Sequence, residues 1–430
     1  MIKKNILENW NSKKIKIYNK KIKKKDIVNY QIKTINKLIK FCKNKSNFYN
    51  EHLKNINYIK TLNEFSKIKP IDSKILIKNY KYMLCSSQNN IEHIITLQTS
   101  GTLKKEKRIF FSKKEINSTI DFFSIGIKQF LKKNNNILII MPSKKKYSIG
   151  NLIKESVIRI KANPLYVGEN LNFKKIYKLL LNTHMIIGTP IKILALSRYA
   201  KILKFKGNIK NILLSADKVY PFVKKEIENN FKCNVFIHYG MTEFGLGGAV
   251  QCIKKDAMHY RLKDLYFEII NPINNKLLKN GNWGEIVVTT LTKKVMPLIR
   301  YKTGDYGRIL NRKCKCNSSD NVLDSNILAR IEEIKNRKKE LISLKELDYI
   351  IFSFKNIIDY EAIINKNKKI IKLNIAILDN NNNTTKDKIY KKIISKFIIL
   401  KKYKFIIKIN NNYYKYPNFY NKTKRILKYL

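Results

Sequence analysis

The chain has 430 residues, more than one ordinary domain needs, so a large domain with a smaller appended one is expected. Hydrophobic residues make up 44% and aromatic residues 11%, which excludes a disordered chain. The formal net charge of +58 makes nucleic acid a candidate partner. We favour a solvated basic surface instead, because the excess Lys is spread along the whole chain and no recognition motif accompanies it.

The six cysteines are too few and too scattered for a disulfide framework in a chain of this length, so reduced thiols are expected. No apolar run reaches the roughly 18 residues of a membrane helix, and the basic first 25 residues lack the apolar core of a signal peptide. We therefore predict a cytoplasmic protein with no membrane partner.

Short apolar runs alternate with longer amphipathic stretches through the first 300 residues, which is typical of strands buried between helices. Buried strands are predicted at residues 137–141, 185–187, 212–214 and 234–237. Several of them end in a polar or Gly-containing turn. Ligands bind beyond the carboxyl ends of strands in open α/β sheets, so these turns are candidate site positions.

After Cys252 the pattern changes to longer alternating strands at residues 265–270 and 285–291, which indicates an antiparallel sheet or barrel-like part. The chain then restarts as a small α+β unit. Its helices are predicted at residues 343–352 and 385–400, and its strands at residues 360–364, 370–378 and 403–409.

The predicted fold class is therefore α/β. A large N-terminal domain over residues 1–328 would combine mixed or parallel sheets, packed with helices, and the barrel-like part. A small α+β domain over residues 329–430 would follow, joined by a hinge near residues 324–330.

The first candidate motif combines hydroxyl groups, a flexible Gly and a nearby cation. It consists of Thr99, Ser100, Gly101, Thr102 and Lys107. Small residues let backbone N–H groups approach phosphate oxygens, hydroxyls donate to them, and Lys supplies charge. The motif is not a Walker A loop, and taken alone an ordinary polar turn explains it equally well.

The second motif directly follows the strand predicted at residues 234–237. It consists of Tyr239, Gly240, Met241, Thr242 and Glu243, followed by Gly245, Gly247 and Gly248. An aromatic ring can stack on a base, Thr can bond a phosphate oxygen, and Glu is a hard oxygen ligand suited to Mg²⁺. A Gly-rich turn with a capping Thr is the alternative interpretation.

The third motif, residues 297–305, ends in a turn with an acidic residue. The carboxylate of Asp305 can accept hydrogen bonds from the two vicinal hydroxyls of a ribose. Thr-Gly-Asp alone is common in loops, whereas all three motifs in this order are not.

Together the motifs resemble those of the acyl/aryl-CoA synthetase superfamily of adenylate-forming enzymes, most closely its phenylacetate-CoA ligase-like branch. The resemblance covers nearly the whole chain and includes residues 46–49, 238–243, 284–285 and 300–305. It implies an enzyme that uses ATP and Mg²⁺ to adenylate a small carboxylic acid and then transfers the acyl group to coenzyme A. It favours an aryl or arylacetic acid such as phenylacetate. Because relatives often pair, a homodimer is also an expectation.

The resemblance assigns a role to each matching residue. Phosphate contact is assigned to Thr99, Ser100, Gly101, Thr102 and Lys107, and adenine contact to Ser215, Ala216, Asp217 and Tyr239, with Gly240 also among the nucleotide-binding residues. Thr242 and Glu243 would contact Mg²⁺ and phosphate, Asp305 the ribose, and Arg330 the nucleotide from the hinge. The acid pocket is expected at Tyr147, Gly150, His238, Phe244, Gly245, Gly247 and Gly248.

The end of the chain, residues 416–425, is similar to the family's closing Gly-Lys-x-x-Arg element. The family's lysine bridges the substrate carboxylate and the α-phosphate, a role that the resemblance assigns to Lys422, with Lys424 as the substitute. A cation there stabilises the charge that develops at the reacting phosphate. The C-terminal domain is expected to act as a mobile lid that moves between the two steps.

The phosphate loop departs from the family pattern. Leu103 and Lys104 stand where the family has Thr-Gly, and the loss of that Gly removes backbone freedom. An inactive nucleotide-binding homologue is therefore one alternative. Others are an adenylating enzyme whose acceptor is a carrier protein or another nucleophile, and nucleic-acid binding by the basic patch at residues 13–25.

A candidate metal site consists of Cys252, His259, Cys314 and Cys316. Three thiolates and one imidazole suit closed tetrahedral zinc, and the alternative is four unrelated residues. His and Cys are scarce in this chain, and relatives in the resembled branch carry a similar Cys, His, Cys-Pro-Cys-Gly set. Asn317 stands at the position of that Gly and tolerates the left-handed conformation. The prediction is a structural Zn²⁺ with no catalytic role.

Overall fold

The computed structural model of the protein describes residues 6–15, 23–98, 106–131, 133–143, 145–168, 172–327, 329–331, 341–378, 386–410 and 427–429. The chain divides into two compact units. Unit 1 consists of Met1–Leu131 and Phe236–Ile331, and unit 2 consists of Lys132–Val235 and Glu332–Leu430. These units differ from the predicted domains, because the first part of unit 2 groups with the C-terminal part. The predicted division into an adenylation domain and a lid stays a prediction.

The described helices are α1 (Ile6–Lys14), α2 (Lys24–Lys45), α3 (Asn47–His52), α4 (Leu62–Phe65), α5 (Ser73–Asn79), α6 (Lys113–Lys128), α7 (Ile149–Arg159), α8 (Phe173–Leu180), α9 (Pro190–Ile202), α10 (Pro221–Phe231), α11 (Leu344–Ile351) and α12 (Lys386–Lys396).

The described strands are β1 (His93–Gln98), β2 (Glu106–Phe111), β3 (Asn136–Ile140), β4 (Asn163–Tyr166), β5 (Met185–Gly188), β6 (Asn211–Leu214), β7 (Asn234–Tyr239), β8 (Ala249–Gln251), β9 (Ala257–Tyr260), β10 (Leu265–Ile270), β11 (Gly284–Thr290), β12 (Tyr301–Gly307), β13 (Val322–Asp324), β14 (Ala329–Arg330), β15 (Ile357–Asn365), β16 (Ile370–Ile377), β17 (Lys404–Asn410) and β18 (Leu427–Tyr429).

Unit 1 contains three antiparallel arrangements of strands. β1 pairs with β2, β10 to β12 and β14 form a four-stranded sheet, and β7, β8, β9 and β13 pair in that order. The antiparallel sheet predicted after Cys252 is confirmed by β10 and β11. Every residue of these two strands is buried, so both of their faces are covered, in contrast to the predicted alternation.

Unit 2 contains a parallel sheet in the order β4, β3, β5 and β6, whose strands are joined through α7, α8 and α9. The strands predicted at residues 137–141, 185–187 and 212–214 are confirmed as β3, β5 and β6. Their apolar runs are almost entirely buried, as expected for parallel strands with helices between them. The α/β fold class is therefore confirmed.

The second sheet of unit 2 is mixed, in the order β17, β16, β15 and β18. It confirms the strands predicted in the C-terminal part, and α11 begins at a capping box in which the side chains of Ser343 and Glu346 bond each other's backbone N–H groups. The helix predicted over residues 385–400 ends earlier, at the end of α12. Phe397 leaves the helical conformation, and a short 3₁₀ turn, Ile398–Lys402, follows. Aromatic and β-branched residues there have low helix propensity.

Two buried polar clusters join this mixed sheet to the helices of unit 2. The carboxylate of Asp348 accepts hydrogen bonds from the hydroxyls of Tyr220 (3.0 Å) and Tyr360 (2.7 Å). The guanidinium of Arg198, on α9, pairs with Glu226 on α10. It also donates to the backbone carbonyls of Phe352 and Phe354, between α11 and β15, and of Ile357, the first residue of β15. The apolar core of unit 2 is continuous across the same elements.

None of the helices among the described residues is both long enough and apolar enough to cross a membrane.

Candidate functional site

The second motif places a buried carboxylate beside a lysine. Glu243 is 2% exposed and lies in the single 3₁₀ turn that follows β7. Lys107, on β2, forms an ion pair with this carboxylate, and the hydroxyl of Tyr301 donates to its Oε1 at 3.0 Å. Burial raises the pKa of Glu243, but the charge of Lys107 and these hydrogen bonds outweigh burial and hold the pKa below its usual value. Glu243 is therefore an ionised carboxylate held in the interior of unit 1.

A second carboxylate, that of Asp305 on β12, has both oxygens engaged. The hydroxyl of Tyr239 donates to Oδ2 at 2.9 Å, and Nη1 of Arg330 donates to Oδ1 at 2.7 Å. The pairing of β12 with β14 brings Arg330 directly opposite Asp305. Burial and the charge of Asp305 raise the pKa of Tyr239, so Tyr239 stays a hydroxyl donor. The carboxylate of Asp305 thus accepts two hydrogen bonds, the number that the two vicinal hydroxyls of a ribose would donate.

The turn that carries Glu243 depends on glycine. A Cβ atom on Gly240 would lie 1.7 Å from the carbonyl oxygen of Leu246, because the chain folds back tightly there. Gly245 has a φ of 91°, which favours glycine. Gly240 and Gly245 are therefore required by the tight fold of the turn itself, independently of any ligand.

The residues predicted for the acid pocket fall in both units. His238 is buried against the rings of Phe122 and Phe123, and burial, followed by the charge of Arg261, lowers the pKa of His238 to about 3. The side chain of Phe244 is fully buried, and Gly247 and Gly248 lie close to buried aromatic rings. Tyr147 and Gly150 belong to unit 2: Tyr147 lies just before α7, and Gly150 lies in its first turn. The pocket itself stays a prediction.

The turn predicted to contact adenine follows β6 in unit 2. Ala216 has a φ of 67°, and Oδ1 of Asp217 accepts the backbone N–H of Lys218 at 2.7 Å. The backbone N–H of Ser215 donates to the carbonyl of Gly188 at 3.1 Å. Thr242, which was assigned to phosphate, opens the 3₁₀ turn of Glu243 in unit 1.

Some predicted residues lie outside the described part of the chain. They are Thr99, Ser100, Gly101 and Thr102 of the phosphate loop, and Lys422 and Lys424 near the C-terminus. Their assigned roles stay predictions.

The four candidate metal ligands come together in unit 1. The ligand atoms of Cys252, His259, Cys314 and Cys316 all lie within 4.8 Å of one another. The sulfurs of Cys252 and Cys314 are 3.5 Å apart, and two thiolates on one tetrahedral zinc ion are separated by about 3.8 Å. Asn317 has a φ of 60°, as expected for a position where the resembled branch carries glycine. A Cys₃His set at these distances, with Cys252, His259 and Cys314 buried and Cys316 partly buried, fits zinc.

Two further residues of this region were not found by sequence reasoning. Tyr301 lay within the third motif, but nothing in the sequence indicated that its hydroxyl contacts Glu243. Lys293 is one of 89 Lys and Arg residues, and no motif in the neighbouring sequence distinguishes it from the others. Its side chain is buried, and burial lowers its pKa to about 8, although the charges of Glu115 and Glu243 oppose the shift.

No family model matches the chain. It is 37% identical over 90 residues to a phenylacetate-coenzyme A ligase from Pseudomonas putida, and this segment covers 20% of each chain. The match therefore spans about a fifth of that relative.

The structure is similar to that of a 2-hydroxyisobutyryl-CoA ligase in the postadenylation state in complex with R3-HIB-AMP. The TM-score is 0.72 at 14% identity, and the match covers 94% of this chain and 89% of that one. An open conformation of that ligase in complex with 2-HIB-AMP and CoA gives a TM-score of 0.63 at 15% identity, with 94% and 91% covered. The chain thus has the fold of this ligase, and its resemblance to adenylate-forming ligases is confirmed at the levels of fold and local sequence.

Proposed function

We propose that the protein is an ATP-dependent, AMP-forming ligase that joins a carboxylic acid to coenzyme A. The observation that carries the proposal is the geometry of unit 1, where Glu243 lies beside Lys107 and Asp305 beside Tyr239. These are the positions that the resemblance assigns to nucleotide binding. The fold shared with a CoA ligase and the local similarity to phenylacetate-coenzyme A ligases support it.

In the first step, an oxygen of the acid attacks the α-phosphorus of ATP, and the bond to pyrophosphate breaks to give acyl-AMP. Asp305 would exchange its present donors for ribose hydroxyls, and Lys107 would turn from Glu243 to a phosphate oxygen. Glu243, freed from Lys107, would hold Mg²⁺, which neutralises phosphate charge when bound. Lys422 is proposed to stabilise the charge that develops at the α-phosphate.

In the second step, the thiol of coenzyme A attacks the acyl carbon and loses its proton, and the bond to AMP breaks. The mixed anhydride makes an otherwise poor electrophile reactive. Coenzyme A is favoured over a carrier protein because the ligase with the shared fold has been captured with CoA. An aryl or arylacetic acid such as phenylacetate is favoured by the local sequence similarity to phenylacetate-coenzyme A ligases.

The decisive experiment is ATP–pyrophosphate exchange with a panel of acids that includes phenylacetate, benzoate and 2-hydroxyisobutyrate. We expect exchange with at least one acid, and its loss in Glu243→Gln, which keeps the shape of the side chain but removes the charge. CoA and a phosphopantetheinylated carrier protein are then compared as acceptors of the acyl group. Absence of exchange with every acid would favour an inactive homologue.

The proposal also includes a structural Zn²⁺ ion held by Cys252, His259, Cys314 and Cys316, with no part in the reaction. The proposal also includes a cytoplasmic location, because none of the six cysteines forms a disulfide and free thiols persist in reducing compartments. Association as a homodimer stays a prediction, which sedimentation of the purified protein would test.

A further inference from the structure

Lys293 is a buried lysine beside the residues proposed to bind the nucleotide. It follows β11, and its side chain is 5% exposed. The ammonium group donates to the backbone carbonyl of Glu243 at 3.4 Å and lies 4.3 Å from the centre of the Phe111 ring. Phe111 ends β2, the strand that also carries Lys107. One ammonium group thus contacts both the turn of Glu243 and the strand of its ion-pair partner.

The backbone on either side of Lys293 is fixed. Oε1 of Glu115 accepts the N–H groups of Lys294 at 2.6 Å and Val295 at 3.1 Å. The hydroxyl of Thr292 donates to Asp264 at 2.6 Å. These contacts fix the backbone of residues 292–295, so the ammonium group of Lys293 is held in place beside Glu243.

A purely structural role does not explain a cation at this position. Burial of an ammonium group is costly, and its hydrogen-bond acceptor here is a carbonyl, which repays less of that cost than a carboxylate. A hydrophobic residue of similar volume is often as stable in such a place or more so. The ammonium group instead provides a directed hydrogen bond to the backbone of Glu243, the residue whose carboxylate is proposed to bind Mg²⁺.

We propose that Lys293 is a positioning residue, which fixes the turn of Glu243 so that its carboxylate faces Lys107 and Tyr301. The other side of the same turn is held by Thr119, whose hydroxyl donates to the carbonyl of Gly245 at 2.8 Å. In this role Lys293 acts through Glu243 and not on the nucleotide or the acid. The inference rests on the proposed function, because the need for Glu243 comes from ATP binding.

The kinetic test compares Lys293→Met with Lys294→Met, which removes the same charge one residue away on an exposed side chain. A lost hydrogen bond to a charged group corresponds to a decrease of about 10- to 100-fold in kcat/KM for MgATP in the exchange reaction. The KM for the acid should stay unchanged, Lys293→Arg should recover part of the loss, and Lys294→Met should match the wild type. Equal values for Lys293→Met and wild type would overturn the proposal.

A crystal structure of Lys293→Met without nucleotide gives a readout that needs no activity. We expect the carboxylate of Glu243 to move away from the Tyr301 hydroxyl, and an unchanged contact would overturn the positioning role. Lys293→Gln serves in both tests if the Met variant does not fold. A wild-type protein without exchange for any acid would refute the proposed function alone, because the crystal structures would still decide the role of Lys293.

Discussion

At the scale of single residues, the carboxylate of Glu243 is held by two side chains that lie far from it in the sequence, Lys107 on β2 and Tyr301 on β12. Glu243, Lys107 and Asp305 stood in motifs whose chemistry could be argued from residue type. Tyr301 also lies in a motif, but its contact with Glu243 could not be predicted, because it depends on the pairing of β11 with β12 and on the position of the turn after β7. Such long-range placement has no signature in the neighbouring residues.

Tyr301→Phe tests the value of that contact. Loss of a hydrogen bond to a charged group should lower kcat/KM for MgATP by about tenfold or more, because Glu243 loses one of two partners. Tyr306→Phe is the matched control, since Tyr306 lies on the same strand and its hydroxyl contacts the carbonyl of Trp283 instead. The same loss in both variants would mean that the hydroxyl contact with Glu243 is not the cause.

Glu226 gives a residue-scale prediction about stability in unit 2. Burial raises the pKa of this carboxyl, but Arg198 and then Lys355 outweigh burial and lower it. The ion pair therefore stabilises the fold above the ordinary pKa of about 4.5, and this contribution is lost as the pH falls through the lower folded pKa.

Urea unfolding of wild type and Glu226→Gln at several pH values measures this contribution. At pH 7 the variant should be less stable by about 3 kcal/mol, because Arg198 is left buried without its carboxylate. The difference should shrink below about pH 4.5. A difference that is constant from pH 7 to pH 3 would rule out the ion pair as its source.

At the scale of elements, the length of a strand determined whether its position could be predicted from the sequence. The apolar runs of β3, β5 and β6 are bounded by polar residues, and the predicted positions agree with the structure to within one residue. β8, β9 and β13 have three or four residues each, too few to show a periodicity. β8 and β9 nevertheless position two of the four candidate metal ligands: Cys252 follows β8, and His259 lies on β9, which pairs with β13.

Zinc binding should hold these short strands together, because a metal that binds only the folded chain stabilises it. We expect about one zinc ion per chain in the purified protein, and a lower melting temperature after chelation or in Cys314→Ser. Cys233→Ser, outside the cluster, should keep both the zinc and the melting temperature. A wild-type protein that contains no zinc and is indifferent to chelation would remove the metal site.

At the scale of the whole molecule, periodicity predicted the α/β class but not the grouping of the segments. Residues 341–378 and 386–410 share a continuous apolar core with the parallel sheet and helices of unit 2. Asp348 and Arg198 add buried hydrogen bonds across the same contact. Tertiary contacts between segments more than 100 residues apart decide this grouping, and a local pattern cannot report them.

Movement of the C-terminal part between the two half-reactions would have to break these contacts in unit 2. Lys422 tests whether that part serves only one step. Lys422→Ala should abolish ATP–pyrophosphate exchange, because the charge at the α-phosphate loses its cation, but should spare thioester formation from supplied acyl-AMP. Lys424→Ala tests the alternative assignment and should keep both half-reactions if Lys422 is the bridging lysine. If Lys422→Ala loses both steps equally, the lysine acts on the fold or on a shared site, and alternation between two positions is refuted.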